Sequence, residues 1–491
     1  LTGALIQAAA GAGPTGKGLK GGALGFISSV VIGVASTAPG YSLATALGLV
    51  TAAVGFQAPA IMWLAFLPTL FIAAAYFYLN KADPDCGTTF SWATRAFSPW
   101  VGWLGGWVII VTDVFVMPSL AEIAGRYSLL LVGARAAAGH RFWVVLVGVA
   151  WIAVLTAICY RGIELSARTQ WLLLATEIAT LIVFSIVALV KVYSMASRGM
   201  VRPTWEWVNP FAIDSTSALT AGLLAAVFIY WGWDTTLSVN EETESSSVMP
   251  GLAALTSTIA LVTIYVLVSI AGVGVHGPEF LSAHSDDVLS ALGTAVLAPP
   301  WDRLLIFAVL TSALASTQTT ILPTTRTVLS MAAHGAIPPY FARIEPRFQT
   351  PSTATIWMGV CSIAWYTGLS LVSENVLLDS VASLGLMIAL YYALTGLACV
   401  WFYRREVLTS ARKALLIGVV PLTGAVIMLA VLVRSVVDLA KPEKAASHTS
   451  WGGFGPPLVI AIGALVLGIG LMLARRWSSG EFFQRGIAAP E

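Results

Sequence analysis

Hydrophobic and polar positions along this chain fall into blocks: long apolar runs, each set apart from the next by a short polar break. A hydrocarbon core about 30 Å thick takes roughly 20 apolar residues in a helix. The blocks predict twelve spans, at about 22–50, 56–79, 100–127, 141–160, 168–192, 216–240, 251–275, 303–332, 353–373, 378–401, 414–436 and 455–475. The expected fold is an all-α polytopic membrane protein with tails at 1–21 and 476–491.

Composition removes the soluble alternative. Of 491 residues, 57% are hydrophobic and 10% charged, and mean hydropathy is +0.84, far beyond the soluble range. The formal charge of +2 provides no basic face for nucleic acid and no acidic tail for a soluble partner, so partners are expected to be the bilayer and a small molecule. Cys86, Cys159, Cys361 and Cys399 have no paired spacing, so neither a disulfide nor a metal site is read from them. The first 16 residues lack a signal-peptide pattern. Lys17 and Lys20 before the first span, with Arg404, Arg405, Arg412, Lys413, Arg475 and Arg476, place both termini in the cytoplasm by the positive-inside rule. The expected location is the inner cell membrane. Trp100, Trp103, Trp143 and Trp301 near span ends suit interfacial anchoring or packing.

Two spans carry interruptions. The first holds Gly33-Val34-Ala35-Ser36-Thr37-Ala38-Pro39-Gly40-Tyr41-Ser42 in its middle, where proline removes a donor and glycine lowers helix propensity. The sixth carries Phe228-Ile229-Tyr230-Trp231-Gly232-Trp233-Asp234-Thr235-Thr236. Each is the first of five spans, so 22–192 and 216–401 read as two repeats, followed by 414–475. Paired interruptions at matching places point to a midplane binding site, because unwound backbone in lipid is costly unless it lines a cavity. Half-helix N–H groups suit a carboxylate and exposed carbonyls suit an ammonium or a cation, so a zwitterion fits such a pair.

These residues resemble the amino acid–polyamine–organocation transporters of the bacterial amino acid permease type, from Gly21 to about Arg405. Pro84-Asp85-Cys86-Gly87-Thr88-Thr89-Phe90-Ser91-Trp92 with Arg95-Ala96-Phe97 and Gly105-Gly106-Trp107 is similar to the family's segment between spans 2 and 3, with Thr88 where a second glycine is usual. Arg326, then Ser330 through Pro338, Phe341-Ala342, Pro346-Arg347 and Thr350-Pro351, resembles the family signature after span 8. Gly232, Trp233 and Asp234 leading to Glu241-Glu242 resembles the span 6 segment. Two departures stand out. Ala38-Pro39-Gly40 replaces the usual Gly-Ser-Gly and removes a backbone donor, and Glu244 through Gly251 replaces a basic stretch. The resemblance implies a five-plus-five inverted repeat of the leucine transporter type with two extra C-terminal helices.

Ionisable groups at membrane depth are functional candidates. Asp234, beside the second break, is a candidate to hold a substrate ammonium or a coupling proton. Glu177, where related transporters often place a lysine, is read as a proton carrier, because burial disfavours a charged carboxyl; the alternative is sodium ligation with Ser316 and Thr317. Asp113 is a coupling or structural candidate, and Glu122 is read as an i,i+4 ion pair with Arg126. The candidate substrate site comprises Ser36, Thr37, Ala38, Gly40, Tyr41, Phe228, Tyr230, Trp231, Gly232, Asp234 and Thr320, with Phe228 resembling the family's occluding aromatic and Trp233 able to shape the pocket. Gln318 is expected off the cavity face.

The expected function is secondary active transport of an amino acid, proton-coupled, by alternating access around the two breaks, with polyamine or amine transport, or amino acid exchange, as the alternative. No cofactor is expected; the coupling ion is H+, with Na+ left open. No phosphate-binding loop is present for ATP hydrolysis. An intramembrane enzyme would need a metal cluster or an activated nucleophile, and the five histidines lie without ligand spacing. A channel would need a filter or a pore-lining ring.

Overall fold

The computed structural model describes residues 16–194, 199–285, 288–297, 301, 303–372, 374–445 and 447–487. The outer parts of both predicted tails, 1–15 and 488–491, lie outside these. The chain opens with α1 (Phe26–Ser36) and α2 (Pro39–Val54), then passes a 3-10 turn at Gly55–Gln57 into α3 (Ala58–Ala82). Next come α4 (Thr89–Ala96), α5 (Pro99–Leu131), α6 (Arg141–Tyr160) and α7 (Ile163–Ser194). The second half begins with α8 (Thr216–Ala226), a 3-10 segment Val227–Tyr230 and the single turn α9 (Thr235–Ser238). It continues with α10 (Met249–Ala283), α11 (Val288–Val296), α12 (Arg303–Ala333), α13 (Ser352–Val372) and α14 (Glu374–Phe402). Last are α15 (Val420–Leu439), α16 (Pro456–Ser478) and the short α17 (Glu481–Arg485). Between α12 and α13, two-residue strands at Ile344–Glu345 and Thr350–Pro351 pair antiparallel.

Among the described residues, eleven helical stretches are long and apolar enough to cross a membrane. The first of them, Phe26–Ala82, is 57 residues long and takes in two of the predicted spans. The all-helical polytopic expectation therefore stands.

The helices divide into a centre and a rim. In the most apolar window of α12, 83% of residues are buried, against 28% for α6. That α12 sits at the centre is unexpected for a run as polar as Thr311-Ser312-Ala313-Leu314-Ala315-Ser316-Thr317-Gln318-Thr319-Thr320. Its hydroxyls solve the problem locally: Thr311, Thr317 and Thr319 donate to the carbonyls of Ala308, Ala313 and Ala315 in the preceding turn, so little polarity is left unpaired. α5 packs along α12, and α3 along α10. Trp143 and Trp301 are exposed, as interfacial anchors would be, whereas Trp103 is buried and donates to the Ala336 carbonyl at 3.0 Å. It is a packing residue of the core.

Candidate substrate site

Both interruptions are present. In the first, α1 ends at Ser36 and Ala38 takes a left-handed conformation (φ 48°, ψ 65°) before Pro39 starts α2. A non-glycine residue there stores about 1–3 kcal/mol of strain. The polar groups this frees are met by other side chains. The Ser36 carbonyl accepts from Ser316 Oγ at 3.0 Å and the Thr37 carbonyl from Ser42 Oγ at 2.8 Å. At the start of α2, Gly40 N–H donates to Glu177 Oε1 at 2.7 Å and Tyr41 N–H to Ser312 Oγ at 3.1 Å. Pro39 has no N–H. The positive end of this half-helix is thus capped by a carboxylate from α7.

In the second, helical geometry fails at Trp231 (ψ 142°) and Gly232 (φ 118°), a conformation that favours glycine. The two breaks touch. A Cβ on Gly232 would come 2.6 Å from the Ser36 carbonyl oxygen, and Ser36 Oγ lies 2.8 Å from Thr235 Oγ1. Asp234 is buried just past the break, and its two oxygens accept from Tyr392 at 2.9 Å and Tyr391 at 3.1 Å, both on α14. Tyr391 also accepts from Trp231 Nε1.

The two carboxylates differ. Asp234 has a donor on each oxygen. Glu177 is wholly buried, and its Oε2 has no hydrogen-bond partner among the described residues. Asp113 accepts from Thr324 of α12 at 2.7 Å. Glu122 pairs with Arg126 as expected and also accepts from Tyr366 at 2.8 Å.

The side of the molecule that carries Lys17 and Arg475 is latched. Leu24 N–H donates to the Glu242 carbonyl and Glu244 N–H to the Leu24 carbonyl, joining the chain before α1 to the chain after α9. Arg326 holds Glu242 with two parallel bonds of 2.8 and 2.9 Å, both side chains buried. The Lys17 ammonium sits among Asp85 (2.8 Å), Glu241 (2.5 Å) and Cys86. Burial works against a charged Lys17, but Cys86, Asp85 and Glu241 outweigh it and raise its pKa. Burial would likewise raise Asp85, yet Lys17 and His334 hold it well below the usual carboxylate range. Asp85 also accepts from Gly87 N–H, Ser91 and Ser330. Thr88 takes φ 48°, which gives a physical reason for the glycine usual at that place in the resemblance.

Of the predicted site residues, Ser36, Thr37, Ala38, Gly40, Tyr41, Gly232 and Asp234 gather at the two facing breaks. Thr320 is buried on α12. Phe228 lies against Gly385 of α14. Tyr230 turns away, donating to the Met62 carbonyl and packing on Phe66 and Tyr265. Trp233 packs against Tyr76 and Tyr392. Glu177 binds the Gly40 N–H, while Ser316 binds the Ser36 carbonyl and Thr317 its own helix. Gln318 is off the cavity face, bonded to Ser166 of α7. Sequence reasoning missed Ser312, Tyr391 and Tyr392. An adjacent tyrosine pair in the middle of an apolar span was the available signal for the last two.

The helix interruptions thus face one another in a polytopic bundle, with a carboxylate held at each. The amino acid permease family profile matches residues 22–465, and the chain belongs to that family, within the amino acid–polyamine–organocation superfamily. It is similar to the mitochondrial cationic amino acid transporter 3 of Arabidopsis thaliana, 25% identical over 352 residues, covering 69% of this chain and 56% of that one. It is also similar to a methylthioribose transporter of Bacillus subtilis (24% identical; 65% of this chain, 69% of that one). A third relative is a branched-chain amino acid permease of Lactococcus lactis (22% identical; 45% and 50%). The chain spans about half the length of the plant relatives it matches. The names of these relatives are those of permeases and transporters.

Proposed function

We propose that the chain is a secondary active transporter that carries an amino acid across the cytoplasmic membrane in symport with protons, alternating access around the α1/α2 and α8/α9 interruptions. In this reading Phe26–Ala82 crosses twice, giving twelve spans with both termini cytoplasmic, and helices 1–5 and 6–10 form inverted repeats. The observation that carries the proposal is the capping of the α2 half-helix at Gly40 by Glu177, a carboxylate with an unspent second oxygen. A substrate carboxylate seeking the same N–H must displace Glu177, and a displaced, desolvated carboxylate is stabilised by taking a proton. Proton uptake and substrate entry are then one exchange at one donor. Asp234, held in place by two phenols, faces the substrate's amino group, and Ser316 and Thr320 line the α12 side. The Lys17 and Arg326 latches must open for release to the cytoplasm.

A second reading, transport of an amine lacking a carboxylate, is favoured by the missing N–H at Pro39 and the occupied one at Gly40. One experiment separates the two. Protein in liposomes with an inward proton gradient and no sodium is offered labelled cationic and branched-chain amino acids, methylthioribose and putrescine. Protonophore-sensitive accumulation of an amino acid, lost in Glu177→Gln and Asp234→Asn, supports the first reading. Putrescine uptake without amino acid uptake supports the second. Uptake that requires internal substrate or sodium overturns proton symport.

A further inference from the structure

On the termini side, a groove of about 660 Å³ runs between α5, α12, α13 and α16. Its walls are apolar, with Trp107, Ile110, Val114, Val328, Trp357 and Leu471 among them, and none of its lining residues is acidic. One end is basic and polar: Arg475 and Ser478 line it, and Arg476 stands beside Arg475 with its guanidinium 4.9 Å from the Trp100 ring centre. Arg475 is partly buried and fixed by two hydrogen bonds to the Gly335 carbonyl, so its charge is held at the mouth instead of sweeping through solvent. The other end reaches Thr324, whose hydroxyl donates to Asp113.

An apolar slot inside the membrane capped by fixed positive charge where the helices leave it has the charge order of a phospholipid, anionic head outward and acyl chain inward. Basic pockets between spanning helices on the cytoplasmic side suit anionic headgroups. We propose that this groove binds one anionic phospholipid from the leaflet on the termini side, its phosphate at Arg475 and Ser478 and one acyl chain along α12 toward Thr324. The occupant would then contact the helix that holds Asp113, and so couple lipid composition to the transport core.

The chain carries its own reporter. Cys361 lines the groove and is exposed, whereas Cys86, Cys159 and Cys399 are buried. Delipidated protein in detergent is titrated with phosphatidylglycerol or phosphatidylcholine of matched chains. The rate of Cys361 alkylation by N-ethylmaleimide is followed, and bound lipid is counted by native mass spectrometry. Phosphatidylglycerol is expected to protect Cys361 at about fivefold lower mole fraction than phosphatidylcholine, as one surface basic contact gives. Arg475→Gln is expected to erase that difference and Arg475→Lys to keep most of it, which separates lost charge from a damaged fold. Equal protection by the two lipids, or undiminished preference in Arg475→Gln, overturns the proposal. So does a doubled mass with Cys361 cross-linked between copies, since a second chain would then fill the groove.

Discussion

The two helix interruptions solve one problem in opposite ways. The first brings no charge of its own: its carbonyls and N–H groups are met by Ser316, Ser312 and Glu177, from α12 and α7. The second supplies its own carboxylate, Asp234, and takes two phenols from α14. Asp234 has both oxygens bonded, whereas Glu177 leaves one oxygen without a partner among the described residues. The difference teaches a division of labour. The second break is built to hold its own carboxylate in place, and the first to exchange an internal ligand for another.

The largest expected effect tests what holds the two breaks in register from below. Arg326 and Glu242 form a buried bidentate pair, and removing one partner of such a pair costs about 3–5 kcal/mol because the other charge is stranded. Arg326→Ala should therefore sharply lower the thermal unfolding midpoint in detergent. It should also expose Cys86, whose thiol lies 3.5 Å from the Arg326 carbonyl, to alkylation. Arg326→Met with Glu242→Leu should recover much of the stability, while leaving the latch without its charge. A double variant no better than Arg326→Ala would mean that the pair's neighbours, not the stranded charge, carry the loss.

Next in size is the internal ligand of the first break. Glu177→Ala strands the buried Gly40 N–H, at a cost of about 1–3 kcal/mol. Glu177→Gln keeps an acceptor and should restore most of that stability without restoring proton-driven accumulation. If Glu177→Gln concentrated substrate as well as the native chain does, the contrast between the two carboxylates would collapse, and Glu177 would be a cap and nothing more.

How much of this was legible beforehand follows from what each feature depends on. The all-helical, membrane-spanning character and both breaks were, because long apolar runs span a bilayer and proline, glycine and hydroxyls interrupt such a run wherever it folds. Asp234 and Glu177 were visible as charges at membrane depth. Their partners were not. Glu177 is read from sequence as a proton carrier, or as a sodium ligand with Ser316 and Thr317, but its bond to the Gly40 N–H of the α2 backbone is fixed by how α7 leans on the break, which no residue pattern shows. Tyr391 and Tyr392 read as two more aromatics in an apolar span until α14 is laid against Asp234. The latch was present as motif residues, Asp85, Glu241, Glu242 and Arg326, but pairing them required knowing that Leu24 returns to Thr243. For Trp103 anchoring and packing stayed open, because a tryptophan near a span end looks the same whether lipid or protein covers it.

The smallest effects separate the two breaks most cleanly, because they have opposite signs. Gly232 has a positive φ and lies against the Ser36 carbonyl. Gly232→Ala should cost at least the 1–2 kcal/mol of a left-handed residue, and should force the breaks apart and slow transport. Ala38 has a positive φ too but carries the side chain that glycine lacks. Ala38→Gly should relieve strain and raise stability by about 1 kcal/mol, reduced by glycine's greater freedom in the unfolded chain. Thermal unfolding with and without substrate measures both. If the strain at Ala38 serves the exchange at Gly40, Ala38→Gly will be more stable yet slower, since a relaxed first break holds Glu177 longer. A variant both more stable and equally fast would show that the strain belongs to the fold alone, leaving Glu177 as the element of the first break that transport uses.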